Sequence, residues 1–98
     1  MAEMMLSEKA DENTRGGAAV TSKAYILIET GIGRTNYALK ALQKILGVQS
    51  VDAVTGPYDI IAVVEGDDLN AIGSLVTGKI HPIGGITRTV TCLAIRVA

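Results

Sequence analysis

A strand–helix–strand pattern occurs twice in this sequence, and that repetition limits the fold more than any other feature. Ala24-Tyr25-Ile26-Leu27-Ile28-Glu29 is short, apolar and rich in β-forming residues, so it reads as a strand. Gly31 and Gly33 break it. Ala38, Ala41, Leu42 and Ile45 then recur at the i, i+3, i+4, i+7 spacing of one helix face. Thr35 is the expected N-cap of that helix and Gly47 the residue just past its end. Val48 to Thr55 reads as a second strand, alternating Val48, Ser50, Asp52 and Val54 against Gln49, Val51, Ala53 and Thr55.

The pattern then restarts. Gly56-Pro57 turns the chain, and Asp59-Ile60-Ile61-Ala62-Val63-Val64-Glu65 is a third strand. Asp67 or Asp68 caps a second helix whose apolar positions are Leu69, Ile72, Val76 and Ile80. Gly73 and Gly78 lie inside it, and each costs a helix roughly 1 kcal/mol relative to alanine. Pro82 and Gly84-Gly85 end it, and Ile86 to Val97 is the last strand. Gly47-Val48 before the second strand is echoed by Gly85-Ile86 before the fourth. A β-α-β unit used twice predicts an α+β, ferredoxin-like βαββαβ sandwich. Right-handed crossovers place both helices on one face of an antiparallel sheet.

Two short helices cover one sheet face only. A sheet with its other face in water alternates cleanly between apolar and polar residues. Here Ile60 to Val64 is apolar without a break, and Tyr25 and Leu27 lie opposite Ala24, Ile26 and Ile28. The second face is therefore apolar as well. An apolar patch of that size predicts self-association, most simply face to face with a second copy in a dimeric, α/β-barrel-like arrangement.

Ninety-eight residues make one domain. The chain has no Trp and no Phe, so Val, Ile, Leu and Ala must build the core. Residues 1–22 mix charges and small residues with little periodicity and read as a disordered or weakly ordered tail before a domain at 23–98. The net charge of −1 gives no basic stripe for direct nucleic-acid binding. No apolar run is long enough to span a membrane, and the early acids Glu3 and Glu8 argue against a secretory signal. The single cysteine, Cys92, forms no internal disulfide, which agrees with a cytoplasmic location. Its alternation with Thr91 places it beside Val90, as a small buried apolar residue.

The most distinctive stretch is Val51-Asp52-Ala53-Val54-Thr55-Gly56-Pro57-Tyr58-Asp59-Ile60, followed later by Gly85-Ile86-Thr87-Arg88-Thr89-Val90-Thr91. The Gly-x-Tyr-Asp turn and the closing Gly-Ile-x-Arg-Thr-x-Thr strand resemble the C-terminal ligand-binding (RAM) domain of the Lrp/AsnC, or feast/famine, regulators. The resemblance covers nearly all of residues 23–98. Full-length members carry an N-terminal helix-turn-helix; the residues before 23 are too few for three helices, so DNA binding is not carried over. The chain resembles a stand-alone form.

That resemblance implies dimers through the sheet faces, assembly of dimers into larger rings, and an amino acid or related effector at the dimer–dimer interface. It also implies a link to transcription regulation, with full-length Lrp/AsnC regulators as possible partners. Carried onto this sequence, the ligand-site candidates are Gly56, Tyr58 and Asp59 in the turn and Thr89 and Thr91 in the last strand. The chemistry suits a zwitterion. A carboxylate such as Asp59 accepts a charge-assisted hydrogen bond from an ammonium. Glycine at Gly56 lets backbone N–H groups approach a carboxylate. Thr89 and Thr91, two apart, present both hydroxyls to one face.

Each residue also has a purely structural reading. Asp59 can cap its own turn, Tyr58 can pack at a subunit rim, and threonines are favoured in strands anyway. His81, the only histidine, sits at a helix end where a cation suits the helix dipole. No Cys/His cluster suggests a metal, and no motif calls for a cofactor. Two other classes stay open. One is a small dimeric ferredoxin-like enzyme, disfavoured by the lone histidine; the other is a purely structural oligomer.

Overall fold

The computed structural model describes residues 21–95. The expected tail falls almost entirely outside this range, as do the last three residues. Within it the elements run β1 (Ser22–Thr30), α1 (Thr35–Gln43), β2 (Val48–Ala53), β3 (Ile60–Gly66), α2 (Leu69–Leu75), a wide helical turn (Val76–Ile80) and β4 (Ile86–Leu93). The four strands form one sheet in the order β2-β3-β1-β4, with every neighbouring pair antiparallel. This is the expected ferredoxin-like fold.

Alternation along the two central strands decides which residues become core. Ala24, Ile26 and Ile28 of β1 and Ile60, Ala62 and Val64 of β3 are fully buried on one face. Ala38 and Leu42 of α1 and Ile72, Val76 and Ile80 of the second helical segment close over them as a single cluster. All the buried hydrophobic residues among those described belong to that layer, and the whole chain has no Trp or Phe to add to it. Leu69, expected on the buried stripe, is 59% exposed at the first turn of α2.

Several boundaries differ from the sequence expectation, each for a local reason. Arg34 occupies the N-cap of α1 without a side-chain bond, and Thr35 begins the helix proper. The Thr35 hydroxyl instead sits 2.8 Å from that of Thr30. Asp68, not Asp67, caps α2, its carboxylate accepting from the Ala71 N–H at 2.8 Å. The second helix changes pitch after Leu75: the His81 N–H reaches back five residues to the Val76 carbonyl at 2.8 Å. β2 stops at Ala53 and β4 at Leu93, both short of their expected ends.

β2 also departs from strict alternation. Val48 pairs with Val64 and Ser50 with Val63, so Gln49 is an extra residue. This bulge brings both Val48 and Val51 to the helix-covered face, because their partners Val64 and Ala62 face that way. A matching irregularity occurs where β4 begins. Glu29 pairs with Arg88 and Thr30 with Ile86, which leaves Thr87 as the extra residue.

The opposite sheet face has no cover among the described residues. Cross-strand partners share a face, which places Tyr25 and Leu27 of β1 with Ile61 and Val63 of β3 and with Val90 and Cys92 of β4. Cys92 is exposed, contrary to its expected burial, because it lies on this open side. Glu29 and Arg88 face each other at one end of the apolar band, and Lys23 and Glu65 at the other.

Candidate functional site

The candidate residues occupy two places in the fold. The first is the turn between β2 and β3. Gly56 takes a φ of +120°, and an added Cβ there would meet nothing within 4 Å. Asp59 is anchored at both ends of its backbone: its N–H donates to the Ile28 carbonyl and its carbonyl accepts from the Val54 N–H, both at 2.9 Å. Its carboxylate oxygen Oδ2 accepts from the Thr30 N–H at 2.8 Å and from the Thr30 hydroxyl at 3.1 Å. With that hydroxyl proton committed to Asp59, the Thr35 hydroxyl is left to donate to Thr30 Oγ1. The resulting Thr35–Thr30–Asp59 chain ties the end of β1 to the start of α1 and to the β2–β3 turn. Half of the Asp59 carboxylate thus performs a structural task.

Tyr58, next to it, is half-buried, and the Arg88 guanidinium lies 6.0 Å from its ring centre. Arg88 belongs to β4 and faces the uncovered side of the sheet opposite Glu29. The Tyr58 ring therefore belongs to the same end of the sheet as the polar rim of the open apolar band.

The second place is the outer margin of β4, an edge strand, where it runs beside α2. Thr89 pairs with Ile28 and Thr91 with Ile26, so both threonines face the helix layer. They line a groove of about 410 Å³ whose other wall is α2 and the wide turn. Leu69, Ile72, Val76 and Leu93 give it apolar sides, and Gly73, Thr77 and His81 complete it. The Thr77 hydroxyl donates to the Gly73 carbonyl at 2.9 Å.

His81 marks the groove's end. Its ring Nε2 is 2.8 Å from the Thr89 hydroxyl, a hydrogen bond whose direction depends on the imidazole tautomer. The wide turn makes this contact. In a regular α-helix successive residues are about 100° apart, so one extra residue in a turn sets everything after it back by about that angle. Ile80 stays fully buried while His81, exposed, turns to the edge strand. Beyond this bond lies a second concavity of about 360 Å³, lined by His81, Ile86, Thr87, Arg88 and Thr89.

Thr89 and Thr91 are thus brought together, as are Tyr58 and Asp59 with Gly56. Neither concavity lined by Thr89 includes a residue of the turn. Sequence reasoning read His81 only as a helix-end cation and missed its bond to Thr89. It also missed Gly73 as a wall of the groove and Arg88 as the neighbour of Tyr58. A pitch change after Leu75 leaves no mark in hydrophobic spacing, so the place of His81 was not legible. Among the described residues no group of three or more His, Cys, Asp or Glu side chains is placed to hold a metal ion. No described helix is long and apolar enough to cross a membrane.

Comparison with known proteins agrees with the fold and the motifs. The family model of the Lrp/AsnC ligand binding domain matches residues 23–98. Among curated proteins, none matches the sequence significantly. The solved structure of TTHA0845 from Thermus thermophilus is 34% identical, with 79% of this chain and 96% of that one covered, at a TM-score of 0.74. Escherichia coli AsnC shares the fold at 23% identity and a TM-score of 0.74; the match covers 78% of this chain and 52% of AsnC. The transcriptional regulator NMB0573 of Neisseria meningitidis, solved in complex with L-Met, shares it at 16% identity and a TM-score of 0.73, over 93% of this chain and 60% of that one. With a family match across the whole βαββαβ unit and a solved relative one-third identical over almost its full length, this chain belongs to the Lrp/AsnC ligand-binding-domain family.

Proposed function

We propose that this domain binds a small amino-acid effector rather than performing catalysis, and that it works as a self-assembling module in the cytoplasm. The observation that carries the reading is the groove between α2 and the β4 edge. It sets Thr77, Thr89, Thr91 and the His81 imidazole against apolar walls, in about 410 Å³. Small-molecule sites have this make-up: mostly apolar, with a few convergent polar groups, in roughly 300–1,000 Å³. The L-Met bound by the Neisseria regulator supports an amino acid as the ligand class.

Self-assembly rests on the open sheet face. Tyr25, Leu27, Ile61, Val63 and Val90 form an apolar band between charged ends, the arrangement of an isologous interface. Pairing these faces buries the band. Further assembly of dimers into a ring would bring the Gly56–Asp59 turn of one copy towards the Thr89–Thr91 groove of another, uniting candidates that a single chain keeps apart. Full-length Lrp/AsnC regulators, which share this domain, are the partners such a ring would join.

Light scattering beside a thermal-shift screen of the twenty amino acids tests the reading. We expect a dimer or a multiple of it, and at least one amino acid that raises Tm. A ligand at a hundredfold excess over Kd stabilises by about 2.7 kcal/mol, which for a domain of this size is about 10 °C or more. A monomer at micromolar concentration removes the assembly. No shift with any amino acid at millimolar concentration removes the effector and favours a structural oligomer.

A further inference from the structure

Glycine inside a helix destabilises it relative to alanine, so each such glycine calls for a reason. Most glycines near the sheet supply one. Gly47 and Gly85 have positive φ, and a Cβ on Gly66 would lie 3.1 Å from that of Ala71. Gly73 supplies neither. It lies in α2 with φ outside the left-handed region, and a Cβ there would meet nothing within 4 Å. What it does is line the groove opposite β4. Gly73 is exposed, so the space in front of it opens to the groove and to solvent.

We infer that Gly73 sets the width of this groove and is the specificity-determining position of the effector site. The effector it admits carries a bulky, uncharged, apolar side chain. This rests on the effector-binding reading above and names the ligand class within it. The apolar walls are Leu69, Ile72 and Val76 on Gly73's side and Leu93 on β4, and among the described residues no Asp, Glu, Lys or Arg lines the groove. A charged side chain placed there would lose its hydration with no counter-charge in return. A bulky aliphatic, thioether or aromatic side chain would gain by burial. Apart from Thr77, whose hydroxyl is committed to the Gly73 carbonyl, the polar side chains gather on the other wall and at the end, where Thr89 and His81 hydrogen-bond each other. They suit the backbone portion of an amino acid. Any side chain larger than hydrogen at position 73 projects into the space the effector side chain would fill.

Calorimetric titration of the full chain with leucine, methionine, phenylalanine, aspartate and lysine tests this, using Gly73→Leu and Gly78→Leu. Gly78 is the control. It lies in the wide turn, a Cβ on it also meets nothing within 4 Å, and it does not line the groove. We expect at least one apolar amino acid to bind at least tenfold more tightly than aspartate or lysine. Gly73→Leu should weaken that binding at least tenfold without lowering Tm, and Gly78→Leu should leave it within twofold. Unchanged affinity in Gly73→Leu, or a preference for a charged amino acid, overturns the inference while the effector reading stands. If the unmodified chain binds no amino acid, the effector reading fails and the inference falls with it.

Discussion

The two βαβ halves of the chain begin their second strands alike and end their helices differently. Gly47-Val48-Gln49 and Gly85-Ile86-Thr87 are counterparts in structure. Each glycine has a φ near +100°, and each strand carries its extra bulge residue two positions later. Each glycine carbonyl accepts a hydrogen bond from the other half: Gly47 from Glu65 and Gly85 from Gly31, at 3.0 and 2.8 Å. The helices are not counterparts. α1 runs nine residues without an internal glycine, whereas α2 runs seven, contains Gly73 and passes into a wide turn. The sheet is duplicated, and the departure from duplication falls where the groove and His81 are. A fold built twice supplies the frame, and the loosened copy supplies the groove.

That comparison can be broken at the core first. Leu42 under α1 and Ile80 after the wide turn are both fully buried. Leu42→Ala and Ile80→Ala should each cost about 3 kcal/mol in urea denaturation, the middle of the range for such truncations. A cost for Ile80→Ala under half that of Leu42→Ala would mean the second half is loosely packed throughout, not only at its groove.

The glycine counterparts come next. A Cβ on Gly85 would lie 2.7 Å from that of Arg34, whereas one on Gly47 meets first the flexible tip of Leu75 at 3.3 Å. Positive φ penalises both alanines by about 1 kcal/mol, and the clash with a main-chain-anchored atom adds about 1–2 kcal/mol at Gly85 alone. Thermal melts that show Gly47→Ala to be the worse of the two would contradict this ordering.

The smallest difference lies at the helix starts. Asp68→Ala removes a capping bond and should cost about 1 kcal/mol. Arg34→Ala removes no cap bond; it loses an exposed stack on Tyr37 and the lie of its side chain along Gly84-Gly85, together worth about 0.5 kcal/mol. Equal losses of Tm would show that Arg34 holds more of the β1–α1 loop than its stacking on Tyr37.

Much of the fold was legible in the sequence because core burial imposes a period. Ala24, Ile26 and Ile28 alternate, Ala38 and Leu42 repeat at helical spacing, and both sets end in one cluster. The bulges at Gln49 and Thr87 were not legible, since an extra residue in a strand leaves the apolar count unchanged. For the site, the resemblance pointed to the turn and to the two threonines. It did not show that half of the Asp59 carboxylate is engaged by Thr30, because that bond joins residues 29 positions apart.

By itself, then, the sequence determined the twofold βαβ plan, the helix-facing stripe of the core and the apolar character of the second sheet face. All three follow from side-chain periodicity, which is a local property. Only the tertiary structure decided that His81 meets Thr89, that Gly73 fronts an open groove, and that the turn and the threonines occupy separate places in one chain. Those outcomes depend on helix pitch and strand order, which place distant residues side by side and which no short window of sequence contains.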